Sequence, residues 1–266
     1  MLMLVAVALL AGLSTTLGAL PLLFVRQLPR SRYDTLLGFG AGLMLAAATL
    51  GLLPAAFASG SLLPVLGGFL VGVAALMLAD RLIPHQHAGG HHSHSGGAED
   101  AVEHAGCDHQ SPQARAHHHG LLVLGAMTLH RLPEGFAVGA GFASGNGRSL
   151  GIMLAIATAL QNCVEGAVMA TPLGQSGMRP RRLIALVTLS GLSLPFCACI
   201  GFLFSTSVAG ALPVALSIGA GALIYLVCSE IIPESHSHKN ERHATVGLLI
   251  GFVLIMLLQQ LTGHSD

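Results

Sequence analysis

Two short motifs place metal-type donors on neighbouring turns of two helices. The first reads His130-Arg131-Leu132-Pro133-Glu134-Gly135, the second Gln161-Asn162-Cys163-Val164-Glu165-Gly166. In each, a nitrogen- or oxygen-bearing side chain precedes a glutamate by four residues, and a glycine follows. On a helix, positions i and i+4 share a face one turn apart. Both glutamates lie in the apolar stretch 120–173. An ionisable side chain at membrane depth is costly and marks a function. Two such pairs facing each other offer the His130 nitrogen, the Glu134 carboxylate, the Gln161 amide oxygen and the Glu165 carboxylate. Mixed nitrogen and oxygen donors suit first-row divalent metals such as Zn²⁺, Fe²⁺, Mn²⁺ or Co²⁺. Two ionised carboxylates neutralise one such cation and remove much of its burial penalty. The bland alternative is an interhelical hydrogen bond, such as His130 to Glu165. Two carboxylates in matched frames weigh against it. Pro133 removes a backbone donor and crowds the Leu129 carbonyl, which predicts a kink beside the site.

The elements that must hold these residues are membrane helices. Apolar residues make up 53% of the 266, charged residues 9%, and the mean hydropathy is +0.72. A soluble domain carries about 25% charged residues. The sequence therefore reads as an all-α integral membrane protein. Segments near 2–25, 34–57, 61–83, 120–143, 149–173, 182–206, 211–233 and 244–263 each approach bilayer length. The first has no basic residue before its apolar core and no clear cleavage site, so it is expected to be retained. The chain divides into helices 1–3 (1–83), a histidine-rich loop (84–119), the two metal-site helices 4 and 5 (120–173) and helices 6–8 (174–266). The five cysteines are odd in number and mostly sit in apolar segments, which points to buried thiols. Net charge is zero, which gives no argument for nucleic acid.

Basic residues give the sidedness. Arg26, Arg30, Arg32, Arg81, Arg115, Arg179, Arg181, Arg182, Lys239 and Arg242 fall on one face, Arg148 on the other, and Arg131 inside a helix. The positive-inside rule puts the rich face in the cytoplasm and both termini outside, in a multi-pass cell-membrane protein. Loop 84–119 holds ten histidines and no apolar periodicity, which predicts a disordered, weak metal chelator or sensor. A second cluster, Glu234, His236, His238 and His243, follows helix 7 on the same face. Glu234 and His236 are candidate cytoplasmic receivers of a metal leaving the membrane.

The paired motifs resemble those of the ZIP (Zrt/Irt-like) family of divalent metal transporters, of prokaryotic type. There helix 4 carries His-Asn-x-Pro-Glu-Gly and helix 5 His/Gln-Asn-x-x-Glu-Gly. The helix count, the histidine-rich third loop and the stretch from Gly221 to His236 match as well. The resemblance implies a 3+2+3 arrangement with inverted pseudosymmetry between helices 1–3 and 6–8. It implies movement of divalent metal into the cytosol. It implies that Met44 lines the metal site and that Asp34, ten residues earlier, matches an entrance acid, although the sidedness above places Asp34 at the cytoplasmic face. Asp34 is therefore not taken as a site residue.

Two departures from the family pattern concern a second metal. The helix 4 asparagine is replaced by Arg131. The helix 6 pattern Ser-Gly-x-x-Glu-Pro reads Ser190-Gly191-Leu192-Ser193-Leu194-Pro195, with Leu194 at the glutamate. A fixed cation is gained and a carboxylate lost, so Arg131 is expected to stand in for the second metal, pairing with Glu134, Glu165 or the second-shell amide of Asn162. The expected function is transport of Zn²⁺, with Fe²⁺, Mn²⁺, Co²⁺ or Cd²⁺ as related cargo, and not enzymology. The metal is substrate and no cofactor is expected. Expected partners are the divalent ion and lipid, with a homodimer compatible with the sequence. Two rivals are a membrane metal sensor or chaperone acting through the histidine-rich loop and an intramembrane metallohydrolase. The second lacks any His-Glu-x-x-His motif.

Overall fold

The computed structural model describes residues 1–23, 29–82, 112–144, 147–175, 177–237 and 240–263, and within them every element is helical. Long apolar runs with few charges satisfy all backbone groups internally, as a lipid environment demands. We label the spans α1 (Leu2–Ala19), α2 (Arg30–Ser59), α3 (Leu62–Leu82), α4 (Pro112–Ala143), α5 (Gly147–Gln175), α6 (Pro180–Ser207), α7 (Ala211–His236) and α8 (Glu241–Gly263). Among the described residues, α1, α2, α3, α5, α6, α7 and α8 each contain an apolar, weakly charged window long enough to cross a bilayer. The 32 residues of α4 span about 48 Å at the usual helical rise, more than the hydrocarbon core requires.

Several expected boundaries move. Helix α4 begins at Pro112, so residues 112–119 are helical and do not belong to the loop. Proline suits the first helical turn, and Gln113, Ala114, Arg115 and Ala116 are good helix formers. Most of the histidine-rich loop, residues 83–111, lies outside the described residues, as does His238. Arg30 and Arg32 belong to the first turn of α2. Glu234 and His236 belong to the end of α7, not to a juxtamembrane loop. Helix α4 runs unbroken through Pro133.

The strongest packing joins α2 with α8, α3 with α7, α1 with α5, and α4 with both α5 and α6. This pattern returns to itself when α1 is exchanged with α6, α2 with α7, α3 with α8 and α4 with α5. Consecutive spans alternate in direction, so the exchange inverts the chain, giving the 3+2+3 arrangement. Two groups emerge, α1/α4/α5/α6 and α2/α3/α7/α8. The irregularities follow the same exchange. Helix α2 carries a π-turn at Ala47–Leu52 and α7 one at Val227–Ile231. A proline follows each, Pro54 and Pro233. Pro54 cannot donate to the Leu50 carbonyl four residues back. Gln259 of α8 does so instead, from Nε2 at 2.8 Å.

Close backbone approach holds the groups together. A Cβ on Gly166 would collide with the Thr15 carbonyl of α1, whereas one on Gly67 of α3 would meet nothing. Small residues allow such contact where no hydrophobic effect separates protein from lipid. Gly166→Ala is expected to lower the thermal midpoint of purified protein by several degrees, with Gly67→Ala unchanged. Equal midpoints for the two variants would refute a tight α1–α5 contact.

Candidate metal centre

The site is built where α4 and α5 cross, with α2, α6 and α7 around them. His130, Arg131 and Glu134 on α4 and Gln161, Asn162 and Glu165 on α5 are all buried, Arg131 and Asn162 completely. The four-residue spacing places each pair on one helical face, and the faces meet. Gln161 Nε2 donates to Glu134 Oε1 at 2.5 Å and to Glu165 Oε1 at 2.7 Å. One amide thus bridges two carboxylates, contributing a proton to each. The amide nitrogen, and not the expected oxygen, faces them. Ligation through oxygen therefore requires a half-turn of the amide. Met44 of α2 lines a narrow cavity together with Glu134, Thr158 and Gln161.

Arg131 does not snorkel. Its Nη1 donates to Ser190 Oγ of α6 at 2.7 Å, and its Nη2 lies 3.5 Å from Glu165 Oε2. Behind it, Ser190 and Thr128 hydroxyls are 2.7 Å apart, and Thr128 donates to the Leu124 carbonyl at 2.6 Å. A guanidinium can only donate. Ser190 must accept from it and donate to Thr128, so the chain has one polarity. Of the three partners expected for Arg131, the contact made is to Glu165. Asn162 donates from Nδ2 to the Ala11 carbonyl of α1 at 2.8 Å. Its Oδ1, Glu134 Oε2 and Arg131 Nε are buried without a hydrogen-bond partner. The two oxygens carry a desolvation penalty that a cation or water would relieve, and the Arg131 N–H one that an acceptor such as water would.

His130 turns elsewhere. Its Nε2 lies 2.8 Å from Glu230 Oε2 of α7. Among the described residues, no three His, Cys, Asp or Glu side chains converge as a closed set of metal donors. Instead His130 is directed to Glu230, while Glu134 and Glu165 share Gln161. Glu230 stands beside the site from outside both motifs. It lies in the stretch from Gly221 to His236 and, like Glu134 and Glu165, is an acid inside an apolar span. Ser190 belongs to the altered helix 6 pattern and here holds Arg131.

The residues expected as receivers lie at the α7–α8 corner. His236 Nδ1 lies 3.0 Å from the Ile232 carbonyl and its Nε2 3.2 Å from Thr245 Oγ1 of α8. Both ring nitrogens are therefore spent on the α7–α8 corner. Glu234 is half-buried on the same last turn. Asp34 is fully buried at the other side of this corner, where Asn240 Nδ2 donates to its Oδ2 at 3.1 Å. Asp34 thus shares a membrane face with Arg30, Arg32 and the end of α7. That is the basic-rich face.

Comparison with known proteins agrees with this architecture. The family model described as ZIP zinc transporter matches residues 1–259. The zinc transporter ZIPB of Bordetella bronchiseptica is 35% identical over 94% of the chain and 78% of its own length. The zinc transporter GufA of Myxococcus xanthus is 34% identical over 96% and 97%. The zinc transporter ZupT of Corynebacterium glutamicum is 30% identical over 94% and 95%. An all-helical, multi-pass fold with paired intramembrane carboxylates, matched from end to end by one family, has one reading: the chain belongs to the ZIP zinc transporter family.

Proposed function

We propose that the chain moves Zn²⁺ across the cell membrane into the cytosol through one intramembrane site formed by His130, Glu134, Gln161 and Glu165. Fe²⁺, Mn²⁺, Co²⁺ and Cd²⁺ are secondary cargo. The observation that carries the reading is the bridge from Gln161 to Glu134 and Glu165 beside the buried Arg131. Two carboxylates are brought within reach of one small body and supported by a donor that can rotate. Met44 adds a soft thioether to the wall, which favours Zn²⁺ and Cd²⁺ over Mg²⁺ or Ca²⁺.

Arg131 takes the place of a second metal. It supplies a permanent positive charge to Glu165 where a second ion would otherwise do so. Asn162, tied to α1, positions α5 without becoming a ligand. A site of two carboxylates and a rotatable amide suits a carrier, because an ion held too well does not leave. The two helix groups offer the moving parts. His130, Glu134, Gln161 and Glu165 ride on one group, Met44 and Glu230 on the other. Displacement of one group against the other alternates access.

The test is metal uptake by purified protein in proteoliposomes, with the metal bound per chain counted in parallel. Zn²⁺ is expected to enter, to compete with Cd²⁺ and to bind at one intramembrane equivalent. Two tight equivalents at the membrane site would overturn the single-site reading. Binding without uptake would favour the sensor.

A further inference from the structure

We propose that Glu230 is the counter-charge to Arg131, making the site neutral when a divalent cation is loaded, without itself being a ligand. This rests on the transport site proposed above and adds a role that neither motif contains.

Arg131 fixes the charge of the empty site. It is completely buried, permanently ionised and held by a one-way chain through Ser190 and Thr128 to the Leu124 carbonyl. It can neither lose its charge nor swing out without breaking that chain. Glu134 and Glu165 together carry two negative charges, one of which Arg131 cancels. A divalent cation then leaves the site with one net positive charge in a medium of low dielectric, where that excess is costly. One more carboxylate is required.

Among the described residues, the acids lying within the spans and away from their ends are Glu134, Glu165 and Glu230. Glu230 approaches the site from α7, with Oε2 at 2.8 Å from His130 Nε2. Asp34 and Glu234 lie at the basic-rich corner. The imidazole of His130 therefore stands between the α4–α5 donors and the third carboxylate. Glu230 also belongs to the other helix group, which packs α7 against α3. The loaded α4–α5 unit, with one excess positive charge, is attracted to the position beside Glu230. The same unit without cargo, with one excess negative charge, is repelled from it. The counter-charge thus favours movement in a sense set by cargo.

The test is a charge-balance cycle in the full-length protein, reading Zn²⁺ uptake and Zn²⁺ affinity in proteoliposomes. Glu230→Gln keeps the shape and removes the charge, and is expected to raise KM about tenfold or more. In an Arg131→Gln background the excess charge is gone, so the same change should move KM by less than about threefold. In an Arg131→Lys background the full effect should return. If Glu230→Gln is equally damaging in all three backgrounds, Glu230 is a ligand and the proposal fails. Should Arg131→Gln not yield folded protein, Glu230→Asp decides. It keeps the charge but retracts the carboxylate, so a counter-charge predicts KM within about threefold of wild type. A loss as large as that of Glu230→Gln overturns it. Undiminished uptake by Glu134→Ala would instead defeat the site itself, which separates the two failures.

Discussion

Proteoliposomes carrying Glu134→Ala are expected to take up Zn²⁺ at less than about one-hundredth of the wild-type rate, equivalent to about 2.7 kcal/mol or more. The carboxylate has two functions at once. It accepts one of the two protons of the Gln161 amide, and it supplies half of the negative charge that receives the cation. Alanine removes both. It also leaves Arg131 facing a single carboxylate on α5, so the α4–α5 unit carries no net negative charge before any metal arrives. A neutral, buried site has little to offer a cation that must shed its hydration. The fold should survive, because the lost side chain contributes a buried charge and not a packing anchor, and Gln161 keeps its bond to Glu165. Glu134→Gln separates charge from shape, since it fills the same space without the negative charge. Both variants should run as intact protein on size exclusion and bind less than one metal per chain. Wild-type uptake by either would remove Glu134 from the site.

Much of this arrangement could be read in the sequence because its periodicity is local. His130 with Glu134, and Gln161 with Glu165, are linked by the helical repeat alone, and the apolar runs define their depth. Burial of Arg131 was less legible. A guanidinium near a helix face can snorkel or turn inward, and the choice depends on Ser190, 59 residues away on α6. Glu230 shows the same limit. Its position inside an apolar span was visible, but its approach to His130 depends on how α7 packs against α4. Contacts between distant spans have no signature in spacing. The end of α7 is hidden for a different reason. Glu234 and His236 follow Pro233, which suggests an end to the helix, yet the π-turn before it lets the chain absorb the missing donor and continue for one more turn. The start of α4 was set by hydropathy, and hydropathy does not detect a polar turn extending beyond the bilayer, such as Gln113–Ala116.

Arg131→Ala should destabilise the protein by roughly 3–5 kcal/mol in metal-free buffer, the range expected when one partner of a buried ion pair is removed. The side chain is completely buried, so its loss leaves Glu165 Oε2 without its cation and Ser190 without its donor. It also opens space beside Glu165 and Ser190, the two side chains the guanidinium touches. A divalent cation can enter that space in a way it cannot while the guanidinium is there. Added Zn²⁺ should therefore raise the thermal midpoint of Arg131→Ala by more than it raises that of the wild type. Arg131→Lys should lie between them, because it keeps the charge but not the forked contact to Ser190 and Glu165. Thermal denaturation of the detergent-solubilised protein across a Zn²⁺ series measures all three. If Arg131→Ala melts with the wild type and responds to Zn²⁺ no more strongly, the guanidinium is not standing where a second metal would.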